Sequence, residues 1–127
     1  MGTARELHLQ VPLYLRKSIS YNTAGAAAGV EVGRVPAGSL ISNVYVVPTT
    51  AFNGSGTVTM TAGSTGTGTD VLLAADANIK TTTTKVGTTK KYFAAESTIY
   101  AAIVDQNTDS TAGTAIIIVE FVQNNDQ

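Results

Sequence analysis

The sequence predicts an all-β fold: an antiparallel two-sheet sandwich of jelly-roll type, with about eight strands and one short helical turn. Three observations support this prediction. Thr, Val and Ile are abundant, with 20 Thr among 127 residues, and β-branched residues suit a pleated, half-buried surface. Twelve Gly and three Pro divide the chain into short segments. Several of these segments alternate apolar and polar residues, the period of two that is typical of a half-buried strand.

The chain length sets the domain organisation. With 127 residues there is room for one domain, and we expect a single β-sandwich domain over residues 7–123. Residues 1–6 and 124–127 are polar and lie outside the strand pattern, so we expect an N-terminal arm and a C-terminal tail. An immunoglobulin-like sandwich is the alternative architecture, but the sequence contains no Cys and no Trp, so the Cys-Trp-Cys core of that fold cannot form.

The first predicted strand covers residues 7–15, where apolar and polar residues alternate. The apolar positions are Leu7, Leu9, Val11, Leu13 and Leu15. A period of two places these five side chains on one face of the strand. Pro12 cannot donate a hydrogen bond to a neighbouring strand, so it indicates that this strand lies at the edge of a sheet.

Three further strands are predicted in the first half of the chain, at residues 30–35, 39–47 and 57–62. The Pro-Ala-Gly triplet at 36–38 joins the first two as a tight turn, because Pro fixes φ and Gly accepts a positive φ. The loop at 49–54 carries one large apolar residue, Phe52.

The strand at 39–47 is predicted to be regular. Strict alternation places Leu40 on the same face as Val44 and Ile41 on the opposite face. Pro48 is expected to end this strand, since Pro interrupts the hydrogen-bond ladder of a sheet.

Residues 70–79 form the one helix-like stretch, with Asp70 as a candidate N-cap. A segment this short predicts one or two helical turns. The remaining strands are predicted at residues 86–93, 98–104 and 112–122. In the last of them residues 115–119 are apolar on both faces, which is typical of a central strand or of one covered by a partner.

Composition and charge narrow the class of protein. Charged residues make up 13% of the chain, against ~25% in soluble domains generally. The surface is therefore rich in Thr, Ser, Asn, Gly and Ala, which suits burial against a partner; a compact, weakly charged monomer is the alternative. The net charge of −1 provides no field to collect nucleic acid, and no apolar run approaches the ~20 residues of a membrane span. We expect neither nucleic acid nor membrane as a partner, and synthesis in a cytoplasm.

Few residues could carry catalysis. His8 is the only histidine, and its place on the polar side of an edge strand indicates an exposed residue. The loop at 63–70 is rich in Gly but lacks the Lys and the spacing of a phosphate-binding loop. Glu31, Glu96 and Glu120 lie in different strand segments, so the sequence does not place two acids in one cleft. We therefore expect no catalytic residue, no cofactor and no metal site.

The basic residues of the second half have an ordinary structural interpretation. They are Lys80, Lys85, Lys90 and Lys91. They lack interleaved Arg, and lysine on a sheet edge discourages association between strands. The patch therefore predicts a solvated edge.

The order of several short motifs carries a resemblance to a known group of proteins. The motifs are the Pro-Ala-Gly turn at 36–38, the β-branched strand at 44–47, Thr-Ala-Phe-Asn at 50–53, the Thr-rich strand ending in Gly at 58–63, and Asp-Val-Leu-Leu-Ala-Ala at 70–75. This order resembles the pattern of small structural proteins of tailed bacteriophages. Within that group the chain is most similar to the jelly-roll cement, or decoration, proteins on the outside of icosahedral heads.

The resemblance implies a structural role and no enzymatic activity. It implies that the chain, made in the host cytoplasm, binds the major capsid protein on the capsid exterior as a homodimer or homotrimer and stabilises the shell. The alternatives are a tail- or fibre-associated module that binds host carbohydrate, and a hydrolase or isomerase built on a β sandwich. The residues expected at the oligomer or capsid interface are Thr3, Arg5, Leu7, Leu9, Val11, Leu13, Tyr14, Phe52, Ile116 and Ile118.

Overall fold

A computed structural model of the chain describes residues 12–123, which form two antiparallel β-sheets with an apolar core between them. The strands are β1 (Leu13–Ser20), β2 (Val30–Val35), β3 (Ser39–Thr50), β4 (Val58–Gly63), β5 (Lys85–Val86), β6 (Tyr92–Phe93), β7 (Ser97–Asp105) and β8 (Thr114–Val122). A single 3-10 turn at Ala74–Asp76 is the only helical element of these residues. No helix within this range has the length and apolar character needed to cross a membrane. The predicted all-β sandwich with about eight strands and one helical turn is confirmed.

The strand order is that of a jelly roll. The first sheet has the order β1-β8-β3-β5, with β6 also paired to β3, and the second has the order β2-β7-β4. The pairings are nested, because β1 pairs with β8, β2 with β7 and β3 with β6. Such nesting is produced by folding one long hairpin across two sheets. Residues 71–79 extend the second sheet beside β4 through isolated bridges at Leu72 and Asn78.

The core is built from the inward positions of both sheets. Along β8 the pattern alternates strictly, with Ala115, Ile117, Val119 and Phe121 buried and the residues between them half-buried. The alternation follows from the pleat, which points successive side chains to opposite faces, and the outward residues are half-buried because β8 lies between β1 and β3. Of the two alternatives predicted for the last strand, a central position or cover by a partner, the structure shows the central position.

One extra residue in β3 reverses which side chains face the core. Ile41 pairs with Phe121 and Asn43 pairs with Glu120, so Ser42 has no partner position on β8. This β-bulge moves Ile41 to the buried side, while Leu40 is 41% exposed. The prediction that Leu40 shares a face with Val44 is wrong, because strict alternation does not hold across a bulge.

Pro48 does not end β3, which continues to Thr50. Pro48 is buried and pairs with Ala115, and the next residue, Thr49, is a second bulge. Proline is tolerated within sheets at bulges, where the hydrogen-bond ladder is already interrupted. The predicted end of the strand at residue 47 is therefore too early.

Three other predicted elements differ in extent. Residues 7–11 of the first predicted strand lie outside the described residues, and β1 runs on to Ser20 as an edge strand that pairs with β8 alone. The segment 70–79 contains one 3-10 turn, and Asp70 accepts hydrogen bonds from Ser64 instead of capping a helix. The strand predicted at 86–93 is divided into β5 and β6.

Candidate interaction surface

The solvent-facing side of the first sheet is the strongest candidate for a functional surface, and we call it the outer face. Its position follows from the register, because residues directly opposite each other in antiparallel strands point to the same side. The outer face consists of Tyr14, Arg16, Ser18, Leu40, Asn43, Tyr45, Val47, Val86, Tyr92, Ile116, Ile118, Glu120 and Val122.

Apolar side chains are concentrated on the outer face. Eight large apolar side chains of residues 12–123 are well exposed, and four of them belong to it: Tyr14, Leu40, Val86 and Tyr92. Ile116 and Ile118 lie between them on β8 and are half-buried by their neighbours in the sheet. A contiguous apolar patch on a soluble protein marks an interaction site more often than scattered exposed residues do.

A hydrogen-bond network crosses the apolar surface from one edge of the sheet to the other. The Glu120 carboxylate accepts a 3.0 Å bond from the Tyr14 hydroxyl, a 2.9 Å bond from Ser42 Oγ and a 2.7 Å bond from Asn43 Nδ2. The Lys90 ammonium group donates to Asn43 Oδ1 at 3.1 Å and to the Ser42 carbonyl at 2.6 Å. The Asn43 amide therefore lies between the Glu120 carboxylate and the Lys90 ammonium group. Each of these two hydrogen bonds polarises the amide and so strengthens the other.

The network changes the titration of its two acidic members. The hydrogen bond from Asn43, with further bonds from Ser42 and Tyr14, lowers the pKa of Glu120, because each bond stabilises the ionised carboxylate. The hydrogen bond to Glu120 and the charge of its carboxylate raise the pKa of Tyr14. Glu120 thus remains an anion whose oxygens already have donors from its own chain.

The outward side of the second sheet is more polar. It presents Thr59 and Thr98, together with the charged residues Glu31 and Arg34. Its exposed large apolar residues are Val104, at 49%, and Leu73 of the segment beside β4, at 42%. The contrast between the two sheets favours the outer face as the surface for a protein partner.

A cavity at one end of the sandwich is small. Its volume is about 110 Å³, and Tyr21, Phe52, Ile103, Asp105 and Ser110 are among the residues that line it. Pockets for small-molecule ligands usually span roughly 300–1,000 Å³. This cavity is therefore too small for a substrate or cofactor of ordinary size.

The acids considered for catalysis do not form a pair. Glu31 lies on the outward side of the second sheet and Glu120 on the outer face of the first, so the whole sandwich separates them. Glu96 is exposed in the turn before β7. Within residues 12–123 there is no group of three or more His, Cys, Asp or Glu that could hold a metal ion. His8 lies outside the described residues.

The predicted interface residues fall into four groups, and the last of them is Phe52 alone. Tyr14, Ile116 and Ile118 share the outer face. Leu13, which is 39% exposed, opens β1 opposite the buried Phe121 and lies at the margin of the core. The five remaining N-terminal residues of the prediction are outside the described range: Thr3, Arg5, Leu7, Leu9 and Val11.

Phe52 is the interface residue that the structure moves elsewhere. It is 2% exposed and closes one end of the core, where its backbone N–H donates to the carbonyl of Ile79. A residue at an oligomer or capsid interface is expected to be exposed in the isolated chain. The loop instead folds back over the open end of the sandwich, so Phe52 is a core residue.

Sequence reasoning did not find most of the outer face. Tyr45 and Val86 are on it because β5 pairs with β3, and Leu40 joins them because of the bulge at Ser42. Alternation within β3 could have indicated Tyr45. No local signal reports a bulge or the pairing of strands that are more than 40 residues apart in the chain.

Comparisons with known proteins place this fold among bacteriophage capsid structures. No family model matches the sequence, and no significant match is found among curated protein sequences. Among solved structures, a chain of the cyanophage Pam1 capsid asymmetric unit matches with a TM-score of 0.68 and 18% identity, covering 91% of this chain and 86% of that chain. A chain of the acidic stable capsid of the Helicobacter pylori bacteriophage KHP30 matches with a TM-score of 0.67 and 10% identity, covering 91% and 90%. A chain of the Ralstonia phage GP4 capsid matches with a TM-score of 0.55 and 13% identity, covering 91% and 86%. The chain thus shares its fold with chains of three phage capsids.

Proposed function

We propose that the chain is a structural protein of a bacteriophage virion that attaches to the outside of the head, contacts the major capsid protein and stabilises the shell. The observation that carries the proposal is the fold correspondence with chains of three phage capsids. Each match covers 91% of this chain and 86–90% of the other. The likeness therefore extends over nearly the whole sandwich and is more than a shared hairpin.

The outer face supports an attachment role. Burial of its apolar side chains against a partner is favourable, by roughly 25 cal/mol per Å² of surface removed from water. Its central anion, Glu120, keeps its three donors when the surface is covered. A covered carboxylate that retains its hydrogen bonds avoids much of the desolvation cost that an unpaired charge would carry. We therefore assign the capsid contact to the outer face.

The size of the outer face supports attachment as an oligomer. β8 has nine residues, which span about 30 Å, and four strands at ~4.8 Å spacing are about 19 Å wide. The resulting area, on the order of 500–600 Å², is below the ~800 Å² per partner of a standard stable interface. Linking two or three copies raises the overall affinity without new contacts. A homodimer and a homotrimer both satisfy this requirement.

The proposal is tested with heads that lack this protein, produced by phage whose gene for the chain has been deleted. We expect these heads to release DNA at a lower temperature than complete heads, and purified protein to bind them and restore the wild-type release temperature. Unchanged release and no binding would refute the proposal.

A matched pair of variants tests the assignment of the outer face. Val86 and Val104 are similarly exposed, at 51% and 49%, and lie on different sheets. Val86→Glu should reduce binding to heads that lack this protein at least about tenfold, because it buries an unpaired charge at the contact. Val104→Glu should bind as the wild type does. Equal binding by the two variants would show that another surface makes the contact.

The carbohydrate-binding alternative is favoured by one feature, since Tyr14, Tyr45 and Tyr92 all belong to the outer face. However, Tyr14 and Tyr92 lie on opposite edges of the sheet, three strand spacings or roughly 14 Å apart. A single sugar ring cannot contact both. A glycan array distinguishes the two functions: a hit that is lost in Tyr92→Ala would support the carbohydrate-binding module.

A further inference from the structure

We infer that Asn53 is a site of spontaneous deamidation, and that three hydrogen bonds from its side chain to residues 111 and 112 suppress the reaction in the folded chain. This modification does not depend on the proposed function, because it concerns the chemistry of the chain itself. It follows from the residue that comes next, Gly54, and from the contacts of the two reacting groups.

The reaction joins the Asn53 side chain to the backbone nitrogen of Gly54. That nitrogen attacks Asn53 Cγ, the new N–Cγ bond closes a succinimide ring, and the Cγ–Nδ2 bond breaks. The amide proton of Gly54 leaves with Nδ2 as ammonia. Water then opens the ring: cleavage of the N–Cγ bond gives aspartate, and cleavage of the bond between this nitrogen and the carbonyl carbon of residue 53 gives isoaspartate. Because the ammonia is lost to solvent, the altered fraction grows with the age of the protein.

Gly54 leaves the attacking nitrogen unhindered. Glycine has no Cβ, and the Gly54 N–H makes no hydrogen bond to another residue of the range 12–123. A larger residue here would slow the attack, but the fold does not accept one. A Cβ atom at position 54 would lie 2.9 Å from Asp105 Oδ1 and 2.9 Å from Ser110 Oγ. The packing of the loop therefore requires the residue that makes Asn53 reactive.

The loop that precedes β8 holds the Asn53 side chain in place. Asn53 Oδ1 accepts hydrogen bonds from the N–H groups of Thr111 at 2.8 Å and Ala112 at 3.1 Å, and Nδ2 donates to Thr111 Oγ1 at 2.9 Å. Ring closure requires the side chain to turn back onto its own backbone, and these bonds oppose that rotation. The reaction therefore depends on a local opening of the loop, which a small fraction of folded molecules has at any time.

The two products differ in their effect on the fold. Aspartate at position 53 keeps an oxygen that accepts from the N–H groups of Thr111 and Ala112. Isoaspartate instead adds a methylene group to the main chain directly after Phe52, which closes one end of the core. Ala112 leads into Gly113, whose backbone lies against the Phe52 ring. Isoaspartate should therefore disturb this end of the sandwich, whereas aspartate should not.

Peptide mass spectrometry of the purified chain measures the reaction. The folded protein and the protein in guanidinium chloride are incubated at the same mildly alkaline pH and then digested. We expect Asn53 to lose its amide at least about tenfold faster in the denatured chain, because the folded chain must first open. Asn107 is the internal control, since it is exposed but is followed by Thr108. In the denatured chain it should react more slowly than Asn53, because the Thr108 side chain hinders the attack.

A matched pair of variants tests the protection. Thr111→Val removes the oxygen that accepts from Asn53 Nδ2 and keeps the branched shape of the side chain. In the folded state its Asn53 should react roughly two- to tenfold faster than in the wild type, as expected for the loss of one hydrogen bond. Thr69→Val should react as the wild type does, because Thr69 is an exposed loop threonine outside this contact.

Stability measurements separate the two products. Asn53→Asp should unfold at nearly the same urea concentration as the wild type, and aged protein enriched in isoaspartate should unfold at a lower one. An isoaspartate fraction as stable as the wild type would refute the assigned effect on the core.

The other outcomes are equally direct. Retention of the Asn53 amide in the denatured chain would refute the site. Equal rates in the folded and denatured chains, or in Thr111→Val and Thr69→Val, would refute the protection. If Thr111→Val does not fold, the comparison of folded with denatured wild type still tests both parts of the inference.

Discussion

The ring of Phe52 occupies the space in which a side chain at position 113 would lie, and Gly113 keeps that space free. A Cβ atom at position 113 would lie 2.4 Å from Phe52 Cγ, and the backbone of Gly113 has a φ of 143°. Both features exclude an ordinary side chain, since a φ in this range is strained for L-residues and the ring cannot move out of a packed core. The loop that carries Phe52 and the start of β8 are therefore fitted to each other.

This fit predicts a large loss of stability in Gly113→Ala. Backbone strain costs roughly 1–3 kcal/mol and overpacking a similar amount, so we expect a loss of about 2–6 kcal/mol. Gly25→Ala is the control, because Gly25 also has a positive φ, of 79°, but nothing lies within 4 Å of its added Cβ. Urea unfolding of both variants measures the difference. Equal losses would show that Phe52 does not restrict position 113.

The bulge at Ser42 predicts losses of stability of very different size for two neighbouring substitutions. Ile41 is fully buried, so Ile41→Ala should lower the free energy of unfolding by about 2–5 kcal/mol. Leu40 is 41% exposed, so Leu40→Ala should cost less than about 1 kcal/mol. Urea unfolding of the two variants tests the register, and a larger effect for Leu40→Ala would place the bulge elsewhere.

The lowered pKa of Glu120 predicts that the folded protein loses stability in acid. Hydrogen bonds from Asn43, Ser42 and Tyr14 hold its folded pKa below the ordinary value of 4.5, so the unfolded state binds the proton more readily. The carboxylate therefore stabilises the fold at pH values above 4.5, and this contribution disappears as the pH falls through the lower, folded pKa. Glu120→Gln has no proton to bind. Its stability deficit relative to wild type should be constant near neutral pH and should shrink below about pH 4.5.

The control for this measurement is Glu96→Gln. Glu96 is exposed, and its side chain makes no hydrogen bond within the described part of the chain. Unfolding free energies measured from pH 7 to pH 3 should give parallel curves for Glu96→Gln and the wild type. A deficit of Glu120→Gln that does not change with pH would contradict the assigned network.

Tyr14 predicts a measurable shift in the pKa of Glu120. Tyr14→Phe removes the hydroxyl that donates to Glu120 Oε2, so one of the bonds that favour the ionised form is lost. The pKa of Glu120 should therefore rise toward its ordinary value. Carboxyl-carbon NMR titration reports this pKa directly. Tyr21→Phe, at an exposed tyrosine of the following turn, should leave it unchanged.

The sequence predicted the fold where the signal is local. The alternation of apolar and polar residues and the positions of Gly and Pro predicted the fold class and the extent of β2. They also indicated a central position for β8, whose residues 115–119 are apolar on both faces. These features depend on burial of a segment's own side chains, which composition records directly. The two bulges in β3 depend instead on how β3 pairs with β8, about 70 residues later, and the sequence of β3 does not report that pairing.

The candidate surface was predicted in part for the same reason. Tyr14, Ile116 and Ile118 were found because their own strands carry the signal. Glu120 was considered only as an isolated acid, since its three donors come from two other strands. A surface that is assembled from five strands is a property of the topology, and the pattern of any single strand does not show it.

The pairing of Leu13 with Phe121 has a practical consequence for engineering. The first strand and the last strand are hydrogen-bonded neighbours, so the described body begins and ends at one corner, with Cα atoms about 5 Å apart across the pair. A short linker can therefore join the two ends, and new termini can be opened in the exposed Thr81–Thr84 run to give a circular permutant. A fusion joined directly at residue 12 or at residue 123 would therefore leave the sandwich from that same corner.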